Sequence, residues 1–500
     1  MGDLLSNLAL GFGVALSTQN LLLALTGCLV GTLIGVLPGV GPIATITMLL
    51  PVTFGIEPAG AIIMLAGIYY GAQYGGSTTA ILVNIPGEVT SVVTTLDGHE
   101  MAKQGRAGAA LGIAALGSFA AGTFATLVVA SLAAPLTRVA LLFGAAEYFA
   151  LMVAGLVFAV VLARGSVPRA VAVILLGVLL SAVGTDLDTG EERMTFGWPP
   201  LSDGIEFAVL AMGVFGFAEV LRNLEVVKGV DVVEKPIGRL LPTREDLRRS
   251  AFPVARGTLL GSVLGILPGN GAVLGPFASY TLEKRIARDP SRFGRGAIEG
   301  VAGPESANNA GAQTSFVPLL ALGIPPNAVM ALMVGAMTIH GIVPGPLVVS
   351  KNPELFWGVI ASMWIGNLAL LVINLPLVGL WVRFLRVPYR LLFPAILLFS
   401  CIGIYSVASS PADVLLTAGF ALAGYALVKL DFETAPLLLG FVLGRLLEEN
   451  LRRALTLSRG DPLVFLQRPI AAAFLALAAV VLALVLVPAV RSRRKEVFAE

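Results

Sequence analysis

Charge is what this chain of 500 residues has least of: Lys, Arg, Asp and Glu make up 13% of it, where a soluble globular protein carries roughly 25%. So few charges cannot cover the water-facing surface of a soluble protein this long, and that class is excluded. No Lys or Arg occurs before Lys103, so the N-terminus lacks the basic region of a typical cleavable signal peptide. With 2 His and no HExxH or CxxC pattern, nothing points to a metal centre. The 2 cysteines, Cys28 and Cys401, both lie in apolar runs and read as small core residues rather than a disulfide or metal pair. A net charge of +2 implies no polyanionic partner, so nucleic acid is not expected. Also missing are a GxSxG elbow and a pair of aspartates within apolar spans, the groups that an intramembrane hydrolase needs.

Apolar residues are abundant, at 56%, and the mean hydropathy is +0.88. Many runs exceed the ~18 to 20 residues that cross a bilayer as a helix. Backbone groups in lipid must bond internally, which leaves helices or closed barrels, and runs this long exclude a barrel. The expected fold class is an all-α polytopic membrane protein embedded in a lipid bilayer.

One apolar run is interrupted by GVLPGVGP, Gly35 to Pro42, and a near-copy, GILPGNGA, spans Gly265 to Ala272. Pro38 and Pro268 are 230 residues apart, and the same offset relates Gly27 to Gly257, Gly31 to Gly261, Gly39 to Gly269 and Gly41 to Gly271. A shared offset around a helix-breaking Pro-Gly argues for internal duplication. Paired Pro/Gly interruptions in two halves point to a transporter binding site. A second, polar pair of breaks is expected at Gly71 to Glu88 and at Pro304 to Pro326. There NIPG (Asn84 to Gly87) answers GIPP (Gly323 to Pro326), with prolines 239 apart.

The chain divides accordingly into a first repeat, 1–222, opening on an interfacial segment, 1–18. A cytoplasmic linker follows, 223–255, then a second repeat, 256–455, and an extra helix with a basic tail, 456–500. Placing the basic loops 103–106, 164–169, 222–256 and 284–295 and the tail in the cytoplasm puts the acidic loop 186–203 outside. The first broken pair, 20–54, then enters from outside and returns there, and the second, 257–283, does the same from inside. The expectation is two inverted structural repeats with discontinuous, re-entrant helices, the geometry of alternating access. The N-terminus is expected to be periplasmic and the C-terminus cytoplasmic. Arg452, Arg453, Arg459 and Arg468 run against this scheme, which leaves them outside.

A Pro-Gly break leaves backbone N–H groups at the start of the next half-helix without partners, and lipid supplies none. The partial positive charge there, worth up to ~1 to 2 kcal/mol when partly buried, suits a carboxylate. Gly39, Val40, Gly41 and Pro42, with Gly269, Asn270 and Gly271, are therefore candidates to bind an anionic substrate; the alternative is a kink or a tight packing point. Ser77, Thr78, Thr79, Ser306, Asn308 and Asn309 are candidate substrate-binding side chains, because neutral polar groups in an apolar segment cost free energy unless paired. Gln73, Asn84, Glu305, Gln313 and Ser315 are candidates for a coupling ion, Na⁺ or H⁺. Hydrogen bonding between helices is the alternative for this cluster. Glu305 reads as the one carboxylate inside a break, fit to ligate a cation, take a proton or start a helix. Glu147, Glu206 and Glu219 read as interfacial, and Asp97, His99 and His340 as gate or surface groups. No other cofactor is expected.

Six stretches carry a family likeness: GVLPGVGPIATITMLLP (Gly35 to Pro51), YGGSTTAILVNIPGE (Tyr74 to Glu88), LDGHEMAKQGRAGAAL (Leu96 to Leu111), VGTDLDTGEERMTFG (Val183 to Gly197), GILPGNGA and ESANNAGAQTSFVPLLALGIPP (Glu305 to Pro326). Over nearly its full length the chain resembles the large membrane subunit of the tripartite tricarboxylate transporter family. The resemblance implies a bacterial inner-membrane secondary transporter, not an enzyme. It implies two partners, a small membrane subunit and a periplasmic solute-binding protein, and import of a di- or tricarboxylate by Na⁺ or H⁺ symport. The pattern carries over at Gly39, Gly41, Pro42, Gly269, Gly271 and Ser306 to Ala310. Ala272 stands where the first half has Pro42, and Pro326 where GIPG is expected. A passive anion channel is the alternative reading.

Overall fold

The computed structural model describes all residues except 1, 38–40, 141, 164–165, 187–188, 226–236, 268–270, 386–393, 395–396, 399–400, 403, 406–409 and 487–500. Helix α1 (Gly2–Ala15) leads to α2 (Thr18–Val36), α3 (Pro42–Thr53) and α4 (Pro58–Val83). Short helical turns then connect to α5 (Ala107–Ala140), α6 (Ala145–Leu162) and α7 (Val167–Ser181). A small antiparallel ribbon pairs Gly184 with Arg193 and Thr185 with Glu192. Helix α8 runs through Phe207–Ala211, a π-helical stretch Met212–Phe217, and Ala218–Glu225. The second half holds α9 (Arg244–Ile266), α10 (Gly271–Ile286), α11 (Glu299–Thr314), α12 (Phe316–Leu322), α13 (Ala328–Ile339), α14 (Pro353–Asn374) and α15 (Val378–Phe384). It ends with α16 (Pro411–Lys429), α17 (Ala435–Leu457) and α18 (Pro469–Leu486).

The architecture is all-α, as composition and run length predict. Among the described residues, Thr18–Val36, Ala107–Leu132, Pro353–Asn374 and Pro411–Lys429 are long and apolar enough to cross a bilayer. Prolines mark several starts: Pro42 and Pro58 stand in the first turn of α3 and α4, where a missing N–H costs nothing. Thr243 opens α9 with a capping box, its hydroxyl accepting from Asp246 N and its own N donating to Asp246 Oδ2, each at 3.1 Å. Helix α1 packs on α14: a Cβ on Gly11 would meet the Trp357 backbone, and Phe12 stacks on Trp364 with ring centroids 5.8 Å apart. The main core gathers Ile62, Leu65, Ile68, Phe316, Met333 and Phe356 from α4, α12, α13 and α14.

The two halves share a packing register. Helix α2 crosses α4, and α9 crosses α11, through glycines four residues apart. A Cβ on Gly27, Gly31 or Gly35 would strike the carbonyl oxygens of Met64, Ile68 and Ala72. On Gly257, Gly261 or Gly265 it would strike those of Gly303, Ala307 and Gly311. The glycines are related by 230 residues and the residues they face by 239. Small residues at one face let the backbones touch, which is how apolar helices associate without a hydrophobic driving force. The helix ends correspond too: α4 is capped by Asn84 (φ 57) and α12 by Gly323 (φ 73). Both caps are left-handed, the conformation that Gly and Asn adopt at least cost.

The expected polar breaks are shorter than the sequence suggests. Helix α4 continues unbroken to Val83, so Gln73, Ser77, Thr78 and Thr79 stand on it, and only the segment from Asn84 departs. Ser306, Asn308, Asn309 and Gln313 likewise stand on α11, with Ser315 at the junction to α12. The glycines and hydroxyls of these stretches serve helix contact rather than chain breaking. Helix structure also begins at Arg244, inside the stretch read as linker. Pro38, Gly39, Val40, Pro268, Gly269 and Asn270 lie outside the described residues.

Two of the arginines that run against the charge pattern, Arg452 and Arg468, are paired with acids. Arg452 meets Asp186 at 2.7 Å and Glu448 at 2.8 Å, and Arg193 meets Glu448 at 2.7 Å. Arg468 meets Glu147 at 2.9 Å. Glu147 is buried rather than interfacial, and it also accepts from Gly144 N at 2.8 Å, capping the start of α6.

Candidate binding and coupling site

Helices α4, α5, α11 and α14 pack on one another and bring the polar residues of both halves together. Glu305, on α11, is 1% exposed. Its carboxylate accepts from the hydroxyls of Ser77, on α4, and Thr94, in the turn beyond it. Glu305 is not the one carboxylate in this region. Glu88, just past the Asn84 cap, accepts from Asn308 Nδ2 of α11 at 3.2 Å and from the Thr90 hydroxyl. That hydroxyl also lies 3.0 Å from Gln73 Oε1. The acids are cross-held: Glu305 by two hydroxyls of the first half, and Glu88 by Asn308 of the second as well as by its own neighbour Thr90.

Around this pair the network spreads along α11. Asn309 Nδ2 donates to Ser118 Oγ on α5 at 2.7 Å, and to Glu305 O at 3.1 Å. Gln313 Nε2 donates to Asn367 Oδ1 on α14 at 2.7 Å, while its oxygen accepts from the Thr126 hydroxyl. Ser315 accepts from Asn327 Nδ2 at 3.2 Å and lies 3.2 Å from Gly265 O. Thr79 lies 3.1 Å from Gly35 O, tying α4 to the last turn of α2. Thr78 and Ser306 bond to carbonyls of their own helices, Tyr74 O at 3.3 Å and Ala302 O at 2.8 Å.

The described parts of the Pro-Gly motifs differ from each other. Gly41 caps α3 in extended conformation, and a Cβ there would have open space. Gly271 begins α10, and a Cβ there would strike Leu264 O.

A small cavity adjoins the network. Tyr74, Ser77, Thr78, Leu111, Ala114, Ala115, Ser118, Asn374 and Leu375 line it. Its interior is about the size of one water. Sequence reasoning gave no role to Glu88, Thr90, Thr94, Tyr74, Ser118, Asn367 or Asn374. Glu88 had a readable signal, a lone acid closing an apolar segment. The others are single polar residues in helices whose neighbours only the fold supplies.

Asp97 and His99, expected at a gate or surface, are buried. Asp97 Oδ1 accepts from the backbone N–H groups of Gly294, Arg295, Gly296 and Ala297 at 2.9, 3.1, 2.8 and 2.8 Å. Its Oδ2 accepts from the Tyr280 hydroxyl at 3.0 Å. Successive N–H groups converging on one oxygen form an anion nest, here filled by the chain's own carboxylate. Asp97→Asn should cost about 2 kcal/mol, since bonds to a charged acceptor exceed neutral ones. Thermal unfolding of the purified chain checks this, and an unchanged midpoint would refute the clasp.

The profile described as "Tripartite tricarboxylate transporter TctA family" matches residues 21–439. An Agrobacterium vitis protein, titled as an uncharacterized 52.8 kDa protein in the TAR-I ttuC' 3' region, is 57% identical over 500 residues, covering 100% of both chains. A second A. vitis protein, titled as an uncharacterized protein in the TAR-II ttuC' 3' region, is 60% identical over 240 residues, covering 48% of this chain and 99% of that one. No solved structure matches.

Proposed function

Because the chain belongs to the tripartite tricarboxylate transporter TctA family, we propose that it is the membrane permease subunit of a binding-protein-dependent secondary transporter. It imports a di- or tricarboxylate across the bacterial inner membrane by symport with Na⁺ or H⁺. Its partners are a small membrane subunit and a periplasmic solute-binding protein. The two halves act as inverted repeats, and alternating access is a rocking of one against the other around a fixed site. The observation that carries this reading is the reciprocal hold on Glu88 and Glu305, which places a polar centre where the halves meet. Substrate carboxylates are assigned to the backbone N–H groups of Gly39 to Gly41 and Gly269 to Gly271. A passive channel is less well supported, because among the described residues the buried amides of Asn309 and Gln313 bond across to neighbouring helices.

The test is uptake from a carboxylate panel into proteoliposomes holding this chain, the small subunit and the solute-binding protein. Uptake should require a Na⁺ or H⁺ gradient; uptake indifferent to both would refute coupling, and single-channel currents would favour the channel. Asn308→Ala should lower uptake about tenfold, the equivalent of ~1.4 kcal/mol, in a normally inserted chain. Wild-type uptake by that variant would move the site elsewhere.

A further inference from the structure

The cavity beside Ser77 has a chemistry that the hydrogen-bond network does not use. Two of its lining side chains carry buried oxygens without a protein partner: the Tyr74 hydroxyl and Asn374 Oδ1. Tyr74 is 4% exposed and Asn374 6%. A buried polar atom left unbonded costs about 1–3 kcal/mol, so two around one small space call for a ligand. The amide nitrogen of Asn374 is already engaged, donating to Leu370 O at 2.9 Å and lying 3.4 Å from Thr32 Oγ1. What it offers the cavity is a carbonyl oxygen. Ser77, Thr78 and Ser118 add hydroxyl oxygens, and Ser118 Oγ already accepts from Asn309. The polar lining is thus made of oxygen-bearing side chains, and the Glu305 carboxylate lies one hydroxyl away through Ser77.

Oxygen ligands suit hard cations. Of the two acids, Glu305 alone is bonded to a lining side chain, Ser77, and one carboxylate balances one positive charge, whereas Ca²⁺ takes 6–8 oxygens with several carboxylates among them. A space about the size of one water also disfavours K⁺, the larger alkali ion. We infer that the cavity lined by Tyr74, Ser77, Thr78, Ser118 and Asn374 is a Na⁺ site, with Glu305 as its counter-charge. The inference rests on the coupling reading above for its use in transport, but cation binding is measurable without transport.

The experiment follows thermal unfolding of the full-length purified chain in NaCl, KCl and choline chloride at constant ionic strength. The wild type should show a saturable rise in unfolding midpoint with Na⁺ alone. Tyr74→Phe removes only an unbonded hydroxyl, so in choline it should unfold at or above the wild-type midpoint. Its Na⁺ titration should nevertheless shift at least tenfold to higher concentration. Asn374→Ala should shift in the same direction. No saturable Na⁺ response in the wild type would mean a cavity that holds water only and would overturn the site. An unchanged titration in Tyr74→Phe would place Na⁺ elsewhere and overturn it equally. Na⁺ binding that Tyr74→Phe weakens, alongside uptake indifferent to a Na⁺ gradient, would uphold the site and refute the coupling reading. Na⁺-driven uptake without a Tyr74→Phe effect would do the reverse.

Discussion

Glu305→Gln is expected to lower carboxylate uptake by roughly a hundredfold while leaving the chain inserted and folded. The carboxylate accepts from two hydroxyls of the opposite half, Ser77 and Thr94. Bonds to a charged acceptor are worth about 1.5–3 kcal/mol each, against about 0.5–1.5 for neutral pairs. Two such bonds put the loss near ~2–3 kcal/mol, and each ~1.4 kcal/mol is a factor of ten. Glutamine keeps the shape but presents an N–H₂ to one of the hydroxyls, which must then turn away. Proteoliposome uptake at matched protein density is the measurement. Wild-type rates in Glu305→Gln would show that the carboxylate is a packing group and not part of the transport centre.

Gly261→Ala should destabilise the fold by at least about 3 kcal/mol, and Gly261→Leu should leave no folded chain in the membrane. A Cβ at Gly261 would strike Ala307 O and lie 2.6 Å from Ala307 Cα. Those are backbone atoms of α11, so no side-chain rotation relieves the clash. Helices α9 and α11 must part, and the α11 network parts with them. Gly31→Ala is the matching experiment in the first half, where the Cβ would lie 2.8 Å from Ile68 Cα. Gly419, on α16, has nothing within 4 Å of its Cβ position and serves as the control. There alanine should be neutral or stabilising by up to ~1 kcal/mol, from helix propensity. Monodispersity of the detergent-extracted chain and its unfolding midpoint decide the matter, and equal behaviour of Gly261→Ala and Gly419→Ala would refute backbone contact at the crossing.

Much of the architecture is legible in the residues because bilayer physics leaves few choices. Run length gives the helices, and the offset of 230 gives the correspondence between Gly27, Gly31 and Gly35 and their counterparts at 257, 261 and 265. The offset of 239 pairs the segments at Asn84 and Gly323, and the structure adds that both residues are left-handed caps. The polar stretches were misread for a physical reason. Gly, Ser, Thr and Asn both loosen a helix in water and let helices touch in lipid, and composition does not separate the two roles. Ser77 and Asn308 stand out in the sequence because an unpaired polar group in an apolar run is costly wherever it lies. Thr94, Ser118 and Asn367 do not, because their role depends on which helix stands opposite. Asp97 looked like a loop residue because its ligands are main-chain N–H groups 197–200 positions away, and such donors carry no side-chain signature.

The crossed hold on the two acids also constrains the mechanics of any stroke. Glu305 leans on the first half through Ser77 and Thr94, and Glu88 leans on the second through Asn308. Under the proposed alternating access, a rigid swing of either half would take Ser77 and Thr94 from Glu305 and Asn308 from Glu88 together, leaving Glu88 its Thr90 bond. The contacts behave as an interlock rather than as two independent latches, so a half-released intermediate requires bending within α4 or α11. Backbone contact at the glycine crossings stiffens those same helices against such bending, so under the proposed alternating access the switch between end states would be concerted.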